Sequence, residues 1–130
     1  MARNSGKNIL LFSNKVQIKP LSVNEAWQGR KFKTKKYKAY EIELIHSLED
    51  TEINWDKEPI ELSLIVGLSN KASDIDNVVK PFIDILQKKY NFNDRYIYRL
   101  IVEKTIVEKG SEFIEFYIKK LKPRHYVLDQ

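Results

Sequence analysis

The sequence predicts a single α+β domain over residues 1–130, in which a mixed β-sheet of about four strands is flanked by two main helices, with a possible flexible tail at 122–130. Three observations predict it. Segments 8–18, 60–68, 96–107 and 112–121 carry the alternating or β-branched apolar pattern of strands. Segments 37–48 and 76–90 carry apolar residues at helical spacing, so the order is strand, helix, strand, helix, strand, strand. With 130 residues and 42% hydrophobic content, the chain is long enough to bury one core and too short for two ordinary ones.

The first strand mixes Ile9, Leu10, Leu11, Phe12, Val16 and Ile18 with polar residues, and Pro20 ends it. Residues 21–36 hold Asn24, Gly29 and many cations with little periodicity, which predicts an exposed loop. Tyr37, Tyr40, Leu44 and Leu48 form the inner face of the first helix. Residues 51–59 are acidic and turn-like, and in the strand that follows Ile60, Leu62, Leu64 and Val66 share one face. After a connector at 69–73, the second helix presents Val79, Phe82, Ile83 and Leu86 as a core stripe, with an irregular first turn expected at Pro81. The last two strands are separated by Glu108-Lys109-Gly110-Ser111, which predicts a hairpin.

Composition removes whole classes of chemistry. The chain has no cysteine, which excludes disulfides, thiolate zinc sites and a cysteine nucleophile. His46 and His125 are its only histidines and lie far apart, so a histidine-rich metal site is excluded as well. No apolar run approaches the roughly 20 residues of a membrane span, and no signal-peptide pattern opens the chain, so a cytoplasmic protein is expected. Lys plus Arg number 23 against 18 Asp plus Glu, a net charge of +5, which makes an acidic partner plausible.

Oxygen chemistry remains, and it concentrates in one place. Asp74-Ile75-Asp76 follows the most apolar strand, Lys80 lies about one helical turn beyond Asp76, and Asp94 sits in a turn after the helix. If the segment is extended, Asp74 and Asp76 point to one side. Mg²⁺ takes oxygen ligands and keeps several waters, so one or two carboxylates hold it beside a phosphate. Taken as isolated residues, the same groups are better read as a helix cap at Asp76, a surface ion pair and a turn aspartate.

The longer pattern distinguishes these readings. Asp74-Ile75-Asp76-Asn77-Val78-Val79-Lys80-Pro81-Phe82-Ile83-Asp84-Ile85-Leu86, followed by Asn93-Asp94-Arg95-Tyr96-Ile97, resembles the RusA family of Holliday junction resolvases, and Pro20-Leu21-Ser22-Val23-Asn24 resembles it more weakly. The resemblance implies a RusA-like fold with Asp74, Asp76 and Asp94 binding Mg²⁺, Mn²⁺ being a possible substitute. It implies that Lys80 supports cleavage beside them, and that a bacterial or phage-encoded homodimer nicks two opposed strands of a four-way DNA junction in recombination and repair. It implies no small-molecule cofactor and no membrane. The chain departs from the family in having only Lys71 where a basic stretch often precedes the first aspartate, and Asn93-Asp94 where some members have two aspartates.

DNA is expected along Arg30, Lys31, Lys33, Lys35, Lys36 and Lys38, a run of cations with Phe32 and Tyr37 among them and no acid, with Lys71 beside the aspartates. Trp27 is expected in the core rather than wedged into DNA. A second basic segment, Lys119, Lys120, Lys122, Arg124 and His125, closes the chain. Two other readings stand beside the resolvase: a nuclease for flaps or other branched DNA, and a non-catalytic DNA-binding module using residues 30–38.

Overall fold

The computed structural model describes residues 9–28 and 32–121. Their elements are β1 (Ile9–Val16), α1 (Val23–Ala26), β2 (Trp27–Gln28), β3 (Phe32–Lys33), α2 (Lys35–Ser47), β4 (Ile60–Leu68), a 3₁₀ turn (Ile75–Val78), α3 (Val79–Tyr90), a second 3₁₀ turn (Asp94–Tyr96), β5 (Ile97–Ile106) and β6 (Phe113–Lys120). The expected α+β domain with a four-stranded mixed sheet is what forms, in the order β1-β6-β4-β5. The tail and the start of the first strand at Asn8 lie outside the described residues.

β4 is the strand on which the sheet is assembled. It pairs antiparallel with β6 on one side and parallel with β5 on the other. Ile60, Leu62, Leu64 and Val66 are each at most 1% exposed and meet Ile114, Phe116 and Ile118 of β6 in the core. α3 closes that core with Phe82, Ile85 and Leu86, all fully buried, and Phe82 packs edge-on against Phe116 at 5.5 Å. α2 adds Tyr37, Tyr40 and Leu44, which matches the inner face expected for that helix. Glu61, on the other face of β4, is also buried, and Arg99 and Lys119 approach its carboxylate at 3.5 and 4.0 Å.

The expected hairpin is overturned. β5 and β6 are consecutive but not partners, because β4 lies between them. The turn at Glu108–Ser111, with Gly110 at φ 96°, therefore spans the end of β4 rather than joining two paired strands. β4 is apolar enough to be buried on both edges, and that demand outweighs the local turn signal.

Three local expectations also change. Residues 21–36 are not simply loop: Ser22 caps α1 by accepting from the Asn24 amide at 3.1 Å, and a short ribbon joins Trp27–Gln28 to Phe32–Lys33. α2 then begins at Lys35, earlier than Tyr37, because the Thr34 hydroxyl accepts from the Tyr37 amide at 3.1 Å as an N-cap. Asp76 does not cap α3; it lies inside the 3₁₀ turn, and Val78 is the residue before the helix. Pro81 falls in the first turn of α3, where its missing N–H costs no helical bond, and the 3₁₀ turn before it is the expected irregularity. Asn91, in the left-handed conformation, ends the helix.

Leu64→Ala should therefore destabilise the domain by about 3 to 4 kcal/mol, since Leu64 is fully buried in the core that β6 and α3 share. Urea unfolding checks this as a lowered midpoint with an unchanged slope.

Candidate active site

The chain leaves β4 at Leu68 and crosses a connector to Asp74. Lys104 of β5 fastens that connector by donating to the carbonyls of Lys71 at 3.1 Å and Ser73 at 2.8 Å. Sequence reasoning misses this clamp, because nothing in the local pattern around Lys104 marks it. Asp74 is extended at φ −79° and ψ 134°, and the 3₁₀ turn starts directly after it. The two aspartates therefore do not share one extended strand, and they line different cavities.

Asp74 borders a cavity of about 630 Å³ whose lining includes Lys19, Asn70, Asn77 and Lys109. Asn77 lies over it, its side-chain amide 3.5 Å from the Asp74 carboxylate. Asp76 borders a second cavity of about 350 Å³, whose walls include Lys80 and Asp94 and whose apolar lining includes Ile83, Leu100 and Val102. The Asp76, Lys80 and Asp94 side chains are thus brought to one opening across α3 and β5. Asp94 is carried back to α3: its amide donates to the Gln87 side chain at 2.8 Å.

Lys80 is the charge that organises this opening. Its ammonium stands 2.9 Å from Asp84 and 3.8 Å from Asp94. The hydrogen bond to Asp84 holds the ammonium above its ordinary value of 10.5, against partial burial and with help from Asp94, so it is charged at neutral pH. Asp84 stands out in the sequence as part of the longer motif; its contact with Lys80 follows from the i,i+4 spacing.

The donor set fits a hard cation. The opening offers carboxylate oxygens and no sulfur or imidazole ligand, and Mg²⁺ is ordinarily held by one or two carboxylates together with waters and substrate phosphates. Among the described residues, no three His, Cys, Asp or Glu side chains stand close enough to hold one metal ion. Asp76 and Asp94 are the pair that share the opening, while Asp74 stands one step outside it.

The basic run divides. Lys35, Lys36 and Lys38 lie at the start of α2, Lys36 pairing with Glu25 at 3.1 Å. Lys33 is half-buried, lies 4.8 Å from the Tyr37 ring centre and pairs with Glu41 at 3.5 Å. Lys88 pairs with the same carboxylate at 2.6 Å, so Lys33 belongs to a local ion cluster. Lys71 is exposed on the connector before Asp74, Trp27 packs edge-on against Tyr37 at 5.7 Å, and Phe32 is 71% exposed. Arg30, Lys31, Lys122, Arg124 and His125 lie outside the described residues.

A family model for the endodeoxyribonuclease RusA matches residues 18–117. The chain belongs to the RusA family. No curated protein matches it. The matched span runs from the end of the first strand segment into β6, and so includes Asp74, Asp76, Asp84 and Asp94 together with Lys80. RusA-family proteins are endonucleases that resolve Holliday junctions and generally depend on a divalent metal. Among the described residues no helix is long and apolar enough to cross a membrane.

Glu41 provides a pH test of the cluster beside the basic run. Burial pushes its carboxyl up, but the hydrogen bond from Lys88 and the charge of Lys33 outweigh burial and leave it below its ordinary 4.5. A depressed folded value means stability that is present above the unfolded value and lost as pH falls through the folded one. The melting temperature should therefore fall on acidification below about pH 4.5, and Glu41→Gln should flatten that decline.

Proposed function

We propose that this chain is a Mg²⁺-dependent, homodimeric endonuclease that resolves four-way DNA junctions by paired nicks, with Asp74, Asp76 and Asp94 as oxygen ligands and Lys80 beside them. The observation that carries the reading is the shared opening of Asp76, Lys80 and Asp94, residues drawn from three different elements. Bound Mg²⁺ would lower the pKa of a water and offset charge building at the phosphorus. Family membership supports the DNA-junction substrate.

The residues of the chain define their own contributions. Asp84 holds Lys80 at 2.9 Å, leaving Lys80 only loosely engaged with Asp94 at 3.8 Å. Lys80 thereby neutralises part of the mutual repulsion of the carboxylates and presents a fixed positive charge to a phosphate in the opening.

Lys35, Lys36 and Lys38 extend the phosphate-binding surface. Cations at a helix N-terminus oppose the helix dipole, and α2 has no acid in its first turn. A polyanion at that end offsets both the dipole and the clustered charge. Lys71, exposed on the connector before Asp74, is a further phosphate contact in this reading, whereas Lys33, held by Glu41, contributes less.

Asp76→Asn should abolish Mg²⁺-dependent cleavage of a synthetic four-way junction while leaving junction binding intact, as seen by gel shift in the presence of a chelator. Cleavage by this variant at the wild-type rate would remove the metal-site assignment. Lys80→Ala should lower the single-turnover rate by about 100- to 1,000-fold, the range expected when one preorganised charge is removed. Lys35→Ala with Lys38→Ala should weaken binding to all DNA shapes and reduce the salt slope by about one unit for each phosphate that is no longer neutralised.

A further inference from the structure

The sheet has two edges, β1 and β5. β1 carries a register shift between Leu10 and Phe12, which leaves only residues 12–16 in regular register. β5 carries its own register shift only at its start, between Ile97 and Arg99, and from residue 99 to residue 106 it runs in regular register with β4. It runs for 10 residues without a proline, and all of them except Ile97 and Val102 are exposed. Leu100, Ile101 and Ile106 present apolar side chains that are 47%, 44% and 43% exposed. Lys104, the lysine that would ordinarily guard such an edge, donates instead to the connector carbonyls. Long apolar edges of this kind are templates for another strand.

The charge order of β5 identifies that strand. Arg99 lies two residues before Ile101 and Glu103 two residues after it, all three on the same face of the strand. Two copies of β5 laid antiparallel about Ile101 set each Arg99 opposite the other copy's Glu103, forming two opposite-charge cross-strand pairs. Moving the centre to Leu100 or Val102 sets Arg99 opposite Ile101 or Thr105 and removes both pairs.

We propose that β5 is the dimer interface: it pairs antiparallel with β5 of a second copy about Ile101, joining two four-stranded sheets into one. This rests on the homodimeric reading above and specifies the surface. The twofold axis then runs perpendicular to the joined sheet, so both copies of α3 lie on the same side. Leu100 and Val102 belong both to this edge and to the lining of the cavity bearing Asp76, Lys80 and Asp94. The two cavities therefore open on one face and flank the axis, as paired cutting of a twofold substrate requires.

The chain contains no cysteine, so a single introduced thiol reports the pairing cleanly. Directly opposed residues of antiparallel strands have Cα atoms about 4.5–5.5 Å apart, within disulfide range. Ile101→Cys, treated with a mild oxidant that accepts the two electrons and two protons of the thiol pair, should give a covalent dimer on a non-reducing gel. Ile42→Cys, at a 61% exposed position on α2, should give little. In sedimentation velocity, Glu103→Arg should weaken the wild-type dimer by about tenfold in Kd, and adding Arg99→Glu should restore it. A wild-type dimer that neither crosslinks through Ile101→Cys nor responds to Glu103→Arg overturns the β5 interface and leaves the homodimer standing. A wild type that is monomeric both alone and on junction DNA overturns the homodimer and the interface together.

Discussion

The parallel pairing of β4 with β5 is the constraint on which the rest of the structure depends. Parallel neighbours cannot be joined by a tight turn, so the chain must leave the end of β4, cross the sheet and return before β5 begins. α3 is that crossing. Its apolar stripe fixes it on Phe116 and the inner face of β4, which leaves its polar edge, with Lys80, Asp84 and Gln87, facing the approach to β5. Asp94 precedes β5 and is thus carried back under Lys80. The pairing also explains why β6 is inserted between β1 and β4 instead of forming a hairpin with β5.

This arrangement sets aspartates at both ends of the crossing, with the lysine between them in the sequence. Asp76 enters it, Asp94 leaves it, and the connector before Asp74 is held from β5 by Lys104. Carboxylates that would repel one another are separated by backbone geometry and partly neutralised by Lys80, so the fold accommodates them without a buried unpaired charge. Three carboxylates do not converge in the described residues, which is consistent with a site completed by the phosphates of its substrate.

Much of this was legible in the sequence because it follows from periodicity and caps. The stripe Val79, Phe82, Ile83, Leu86 and the alternation Ile60, Leu62, Leu64, Val66 both specify a buried face, and all of them are buried except Val79, which is partly buried against the core. The Asp74 to Leu86 motif pointed to the family that the match over residues 18–117 shows. Strand order was not legible: a turn between two apolar strands carries the same signal whether they pair with each other or with a third. The separation of Asp74 from Asp76 was hidden for a related reason, since an aspartate pair reads alike in an extended segment and at the start of a 3₁₀ turn. The Lys104 clamp depends on a contact across the sheet that no local pattern records.

The central claim is that the crossing unites Asp76 and Asp94 at one cation-binding opening. Paramagnetic broadening by Mn²⁺ of the isotopically labelled protein, bound to a junction with non-hydrolysable phosphates at the cut sites, tests it most directly. Amide signals around Asp76 and around Asp94 should broaden together at the lowest Mn²⁺ additions. Broadening around one of these aspartates while the other stays sharp would contradict the account.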